Sequence, residues 1–195
     1  MLGVIIDQHL TWNQHIESLT KLMSQKVHQL RKIKNYLNES GKKAFYFSHI
    51  QSHIDYCSTV WDGCSADHLK KLNSLHRRSM KLISIESFDQ TDDLYQHLKI
   101  LPLMKLFYYN KAKFVHKILF KNAPNYLLTL FTSNTRHSER LKVLELPLPR
   151  TKLFKTSLCF SGRLLWNNLP EYLKVIKFPD SFNREMLLYL NYRPP

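Results

Sequence analysis

The chain has 195 residues, with 29 Lys and Arg against 15 Asp and Glu, so its formal net charge of +14 points to phosphate or another polyanion as partner. That length is enough to bury a core, and 44% hydrophobic residues with 12% aromatics exclude wholesale disorder. Only four glycines are present where average usage supplies about fourteen, which excludes a Gly-rich phosphate loop and favours long helices with polar or Pro-containing links.

The apolar runs are a handful of residues long, so no bilayer span is expected. No basic region precedes the first apolar run, and no signal peptide is expected. Three cysteines, an odd count, argue against a disulfide scaffold and for a reducing, intracellular setting, nucleus or cytoplasm.

In chain order, Leu2-Gly3-Val4-Ile5-Ile6-Asp7 is a short β-branched run that reads as a strand without a partner nearby in sequence. Thr11 and Gln14 form a capping-box pattern. Ile16, Leu19, Met23, Val27, Leu30, Ile33 and Leu37 then recur every three or four residues, predicting a helix over 11–37. Its opposite face carries Lys21, Gln25, His28, Lys32 and Asn35, flanked by Arg31 and Lys34. Lys26 falls inside the apolar stripe, where snorkelling accommodates it.

A break at 38–41 precedes a second, aromatic-rich helix over 42–56. A third helix starts at Ser65 and buries Leu69, Leu72, Leu75, Met80 and Ile83. Lys70, Lys71, Arg77, Arg78 and Lys81 all fall on its outer face. A polar link at 86–93 leads to a short helix. A further helix over 102–121, opened by Pro102, is apolar nearly all round and reads as central and buried. From Leu94 to Ser138 there is no acidic residue, while Lys99, Lys105, Lys111, Lys113, Lys117, Lys121 and Arg136 are present. The stretch 136–195 carries Pro147, Pro149, Pro170 and Pro179 and reads as mixed, irregular short elements. The fold class is therefore mainly α: a helical bundle with an orphan N-terminal strand and an irregular, Pro-containing C-terminal segment. Four regions are expected, at 1–10, 11–88, 89–135 and 136–195.

Several residues together resemble the C-terminal portion of a non-LTR (LINE-type) retrotransposon reverse transcriptase. Leu2-Gly3-Val4-Ile5-Ile6-Asp7, Leu10-Thr11-Trp12 and His15-Ile16 resemble the block where palm gives way to thumb. Tyr56 with Val60-Trp61 is similar to the family's Y-x-x-x-V-W segment. The run from Leu72 to Ile83, with His76-Arg77-Arg78 and Lys81, is similar to its Q-K-R-x-x-R-x-I helix, with His76 where Gln is usual. Pro149-Arg150-Thr151, Leu165-Trp166-Asn167, Leu169-Pro170 and Ser181-Phe182 resemble the family's W-N-x-L-P ending. The resemblance implies a thumb-like region at 11–88 that closes over primer and template. It also implies an RNA-directed DNA polymerase parent whose endonuclease and Mg-holding palm are not in these residues. The chain is then expected to bind nucleic acid, an RNA–DNA hybrid or RNA, with no cofactor or small-molecule substrate. A helical protein–protein interaction module and a non-functional, degenerate transposon fragment are the alternatives.

Lys70, Lys71, Arg77, Arg78 and Lys81, with only Asp67 nearby, are the first candidate phosphate contacts; Lys21, Arg31, Lys32 and Lys34 are the second. Tyr46, Phe47, Tyr108 and Tyr109 could stack on bases, but read first as core. Asp92-Asp93 lacks the apolar strand flanks of a metal-holding pair and reads as the acidic first turn of a helix. His49 and His53 have zinc-motif spacing without the intervening Glu, and Cys57, Cys64 and His68 lack a C-x-x-C pair. Cys159 has no nucleophile context, and Trp61 and Trp166 read as packing anchors. No catalytic residue is expected.

Overall fold

The computed structural model describes residues 3–86, 88–120, 122–131 and 143–192, and among these it is helical with no β-strand. The chain divides into two compact units, Met1–Met104 and Lys105–Pro195.

The first unit is built on α1 (Asn13–Ile33), which packs against α5 (Ala66–Ile83). Ile16, Leu19, Met23, Val27 and Leu30 are buried along the α1 stripe, as their spacing predicts. On α5 the buried residues Leu72, Leu75, Met80 and Ile83 answer them. Ser65 caps α5, its hydroxyl accepting from the His68 amide at 3.4 Å.

Four local expectations give way. The expected N-terminal strand does not form: residues 3–7 are irregular, and Leu2 lies outside the described residues. Without a neighbouring strand its amides have no ladder to join, and Ile5 and Ile6 stay exposed. Its last residue, Asp7, organises the turn into α1 instead. Oδ1 accepts from the amides of His9 and Thr11, both at 3.0 Å. Oδ2 accepts from the Thr11 hydroxyl at 3.0 Å and the Trp12 amide at 2.8 Å. The Thr11 hydroxyl is thereby engaged as a donor, and the capping box predicted with Gln14 is replaced by a start at Trp12 in the left-handed region (φ 64°). The Thr11 amide and the other donors hold the Asp7 carboxyl below its ordinary value.

At its other end α1 stops at Ile33 rather than Leu37. Asn38 starts α2 (Glu39–Tyr46), its side chain accepting from the Gly41 amide at 2.8 Å. The predicted second helix is broken: a π-helical turn at Phe47–Gln51 separates α2 from α3 (Ser52–Asp55). This turn also removes His49 and His53 from simple α-helical i, i+4 register. A short α4 (Ser58–Trp61) then precedes α5. Its Trp61 is fully buried and donates to the Tyr56 carbonyl at 3.0 Å, so the Tyr56–Trp61 motif is a packing device.

α6 (Thr91–Leu98) carries Asp92 and Asp93 in its first turn, as read from sequence. It ends at Lys99 in the left-handed region (φ 55°), with the Ile100 amide reaching back to the Tyr95 carbonyl at 3.2 Å. Leu10, Trp12, Cys57 and Lys99 all have positive φ. A glycine-poor chain here places side chains where glycine is the cheaper choice.

The second unit is built on α7 (Leu103–Leu119), whose first turn contains the boundary. Its Leu106, Phe107, Ala112, Val115, Ile118 and Leu119 are buried. The expected irregular C-terminal segment is largely helical where described: α8 (Asn125–Thr129), α9 (Lys152–Thr156), α10 (Leu158–Asn168), α11 (Glu171–Lys174) and α12 (Pro179–Tyr192). Proline falls at helix boundaries here: Pro170 caps α11 and Pro179 opens α12, positions where a missing amide costs little. α10 lies so close to α7 that a Cβ on Gly162 would meet Val115 Cγ2 at 3.0 Å.

Trp166 and Phe182 are fully buried. The Asn167 side chain accepts from the Leu144 amide at 2.9 Å and donates to its carbonyl at 2.7 Å. The W-N-x-L-P residues thus hold the second unit together. Lys121 and Arg136, the remaining cations expected in the acid-free stretch, lie outside the described residues.

Candidate nucleic-acid interface

Lys70, Lys71, Arg77, Arg78 and Lys81 are all exposed on α5. At about 100° per residue, Lys70, Arg77 and Lys81 form one row and Lys71 and Arg78 a second, within a sector of about 120°. Lys70 to Lys81 spans about 16 Å of helix axis. Asp67 pairs with Lys70 at 3.6 Å, but both side chains are about four-fifths exposed and the pair binds weakly. Among the described residues no carboxylate pairs with Lys71, Arg77, Arg78 or Lys81.

The opposite face of α5 fixes how this sector points. His76, fully buried, lies between two tyrosines: Nε2 is 2.7 Å from Tyr46 Oη on α2, and Nδ1 is 2.9 Å from Tyr95 Oη on α6. A neutral imidazole has one donor and one acceptor, so one hydroxyl donates and the other accepts. Burial lowers the His76 pKa to about 4 and raises that of Tyr95 to about 12, which keeps the network uncharged. Tyr46, weighed as a base-stacking residue, is wholly in this core, while Phe47 is half exposed. The network escapes a sequence reading because its members are 30 and 19 residues apart and no periodicity links them.

On α1, Lys21, Arg31, Lys32 and Lys34 are exposed. Lys21 is brought to α5: it lines a groove of about 570 Å³ with Lys71 opposite. Gln25 and His28, placed by periodicity on an outer face, line the same groove, as does His68. Arg31, Lys32 and Lys34 are not among its lining residues; they lie at the far end of α1, some 15 Å or more from Lys21 along the axis. Lys26 is half-buried and donates to Gln29 Oε1 at 3.3 Å.

The second unit uses its cations differently. Lys105 Nζ donates to the Leu190 carbonyl at 2.7 Å and Lys111 Nζ to Ser161 Oγ at 3.0 Å. Lys113 lies over the Tyr109 ring, 4.9 Å from its centre. The buried Lys174 donates to the Asn167 carbonyl at 2.6 Å. The buried Arg163 donates to the carbonyls of Glu145, at 2.8 Å, and Leu130, and its guanidinium lies over Phe131. His116 donates to the Ile176 carbonyl at 2.9 Å and stacks between Phe120 and Phe182.

Cys57 is exposed and Cys64 buried, its thiol pushed up to about 11 chiefly by desolvation. Among the described residues no three His, Cys, Asp or Glu side chains gather as a metal site, and no helix is long and apolar enough to cross a membrane. No protein-family model matches the chain, and neither does any curated protein or solved structure.

Proposed function

We propose that the chain binds nucleic acid through the α5 face, as the thumb and post-thumb part of a LINE-type reverse transcriptase. The observation that carries the binding is the α5 sector: five exposed cations, four of them unpaired by any carboxylate among the described residues, on a helix fastened from behind by His76. An ordinary solvated helix face mixes the two signs. The family part rests on the four sequence motifs in their order. Lys70, Lys71, Arg77, Arg78 and Lys81 supply phosphate contacts, with Lys21, Arg31, Lys32 and Lys34 as a second set. Such contacts fix position on the nucleic acid without reading its sequence. The partner is an RNA–DNA hybrid or RNA, and the residues give contact rather than chemistry.

Salt-titrated binding to an RNA–DNA hybrid tests this. Each phosphate neutralised adds about 0.9 to the slope of log K against log salt for duplex DNA and about 0.7 for single strands. Replacing Lys70, Lys71, Arg77, Arg78 and Lys81 with Gln is expected to flatten the slope by about 3.5 to 4.5 and to weaken binding at least a hundredfold at low salt. Unchanged affinity in that variant overturns the proposal.

A further inference from the structure

The α1–α5 groove contains polar atoms that the protein leaves without partners. His68 is nine-tenths buried, and its Nδ1 has no hydrogen-bond partner among the described residues. Thr20 Oγ1, buried on the facing helix, has none either. Both residues line the groove. A buried polar atom without a partner costs about 1–3 kcal/mol, and two of them on residues that line one open groove mark a place where a ligand can supply what the fold does not. The surrounding charge says which ligand. Lys21 and Lys71 bring two ammonium groups and His28 a second imidazole, against the single carboxylate of Glu17. Hydroxyl, imidazole and ammonium donors around a cationic hollow suit a phosphate group, whose oxygens accept from all three. At about 570 Å³ the space takes a phosphate together with an attached sugar.

We propose that this groove seats one phosphate group, with His68 Nδ1–H and Thr20 Oγ–H as hydrogen-bond donors and Lys21 and Lys71 as counter-charges. It deepens the nucleic-acid reading on which it rests: the outer α5 face follows the backbone, and the groove receives one phosphate. That phosphate belongs either to the bound strand or to a free nucleotide, and the two sources separate experimentally.

The experiment follows backbone amide signals of Thr20 and His68 by NMR, in the full chain, during titration with uridine 5′-monophosphate, uridine and an RNA–DNA hybrid. The monophosphate is expected to shift both signals saturably, and uridine to leave them unmoved. Thr20→Val and His68→Leu are each expected to weaken that binding about ten- to a hundredfold, the loss of one hydrogen bond to a charged group. Thr20→Val is nearly isosteric and removes an unpaired buried hydroxyl, so it reports even where His68→Leu disturbs the fold. Saturation by the monophosphate with no response to the hybrid assigns a free nucleotide; response to the hybrid alone assigns a strand phosphate. Equal shifts from uridine, no response to either ligand, or Thr20→Val binding unchanged, overturns the site. In K70Q/R77Q/R78Q/K81Q, which spares the groove, the monophosphate is expected to bind as before. Hybrid affinity that falls in this variant while the groove signals ignore every ligand keeps the α5 face and removes the groove alone.

Discussion

The two units carry similar residues and use part of them differently: the second exposes Lys117, Arg150, Lys152, Lys155, Lys177 and Arg184 but draws other cations inward. In Met1–Met104 the lysines and arginines of α5 and α1 face outward, and stability comes from apolar stripes and a neutral Tyr46–His76–Tyr95 network. Lys42, buried on α2, and the half-buried Lys26 and Lys43 depart from this. In Lys105–Pro195, Arg163, Lys174, Lys105 and Lys111 turn onto carbonyl and hydroxyl oxygens and act as internal braces. Net charge therefore says little about where a polyanion binds. The acid-free stretch is rich in lysine, yet Lys105, Lys111 and Lys113 are half-buried there and only part of its charge is free to act outward.

Replacing single cations should break this contrast most directly. Arg163→Met strips two carbonyls of their donor and is expected to cost the second unit about 3–4 kcal/mol, read by urea denaturation followed through Trp166 fluorescence. Arg77→Gln should leave the first unit within about 0.5 kcal/mol of the parent. Equal costs at the two positions would erase the distinction.

The neutral network of the first unit gives the next effect. His76→Phe leaves two buried tyrosine hydroxyls unpaired and is expected to cost about 2–4 kcal/mol. The same histidine makes the first unit acid-sensitive. Its folded pKa of about 4 lies below the 6.5 of the unfolded chain, so between these values the unfolded state binds more protons. Its stabilisation is complete above pH 6.5, is lost as pH falls towards 4, and amounts to at most about 3 kcal/mol. Burial lowers His15 and His53 as well, and they act with the same sign. Asp7 and Glu39, held below their ordinary values of 3.8 and 4.5, add losses only as acidity increases further. Denaturation at pH 7 and pH 4.5 should show a smaller difference in His76→Phe than in the parent.

The smallest effect is a gain. Lys99→Gly relieves a left-handed residue just after α6 and is expected to stabilise the first unit by about 1 kcal/mol, a rise in melting temperature of several degrees.

Where a single element determines its own burial, the sequence is informative. The spacing of Ile16 through Leu30, the apolar character of α7, the Ser65 cap and the outward cations of α5 all follow from local pattern. The strand at residues 2–7 misleads because β-branched composition describes fitness for a sheet and says nothing about whether a partner exists. The π-helical turn has no local signature, and its residues are ordinary helix material. The groove is half legible. Lys21 and Lys71 stand out, but Thr20 and His68 come to line one groove only once α1 lies on α5. The W-N-x-L-P residues show the reverse, a conspicuous motif whose work is to pack Trp166 and to tie Asn167 to the Leu144 backbone.

His76 and Arg77 are neighbours in sequence and about 100° apart on the helix. The hydrogen bonds on either side of the imidazole therefore act as a key in a lock, setting the azimuth of α5 about its own axis. A helix held by greasy contacts alone slides and rolls among near-equal packings; one held by two directional bonds to α2 and α6 has a single phase. The positive charge at 70, 71, 77, 78 and 81 inherits that phase, and so points in one direction.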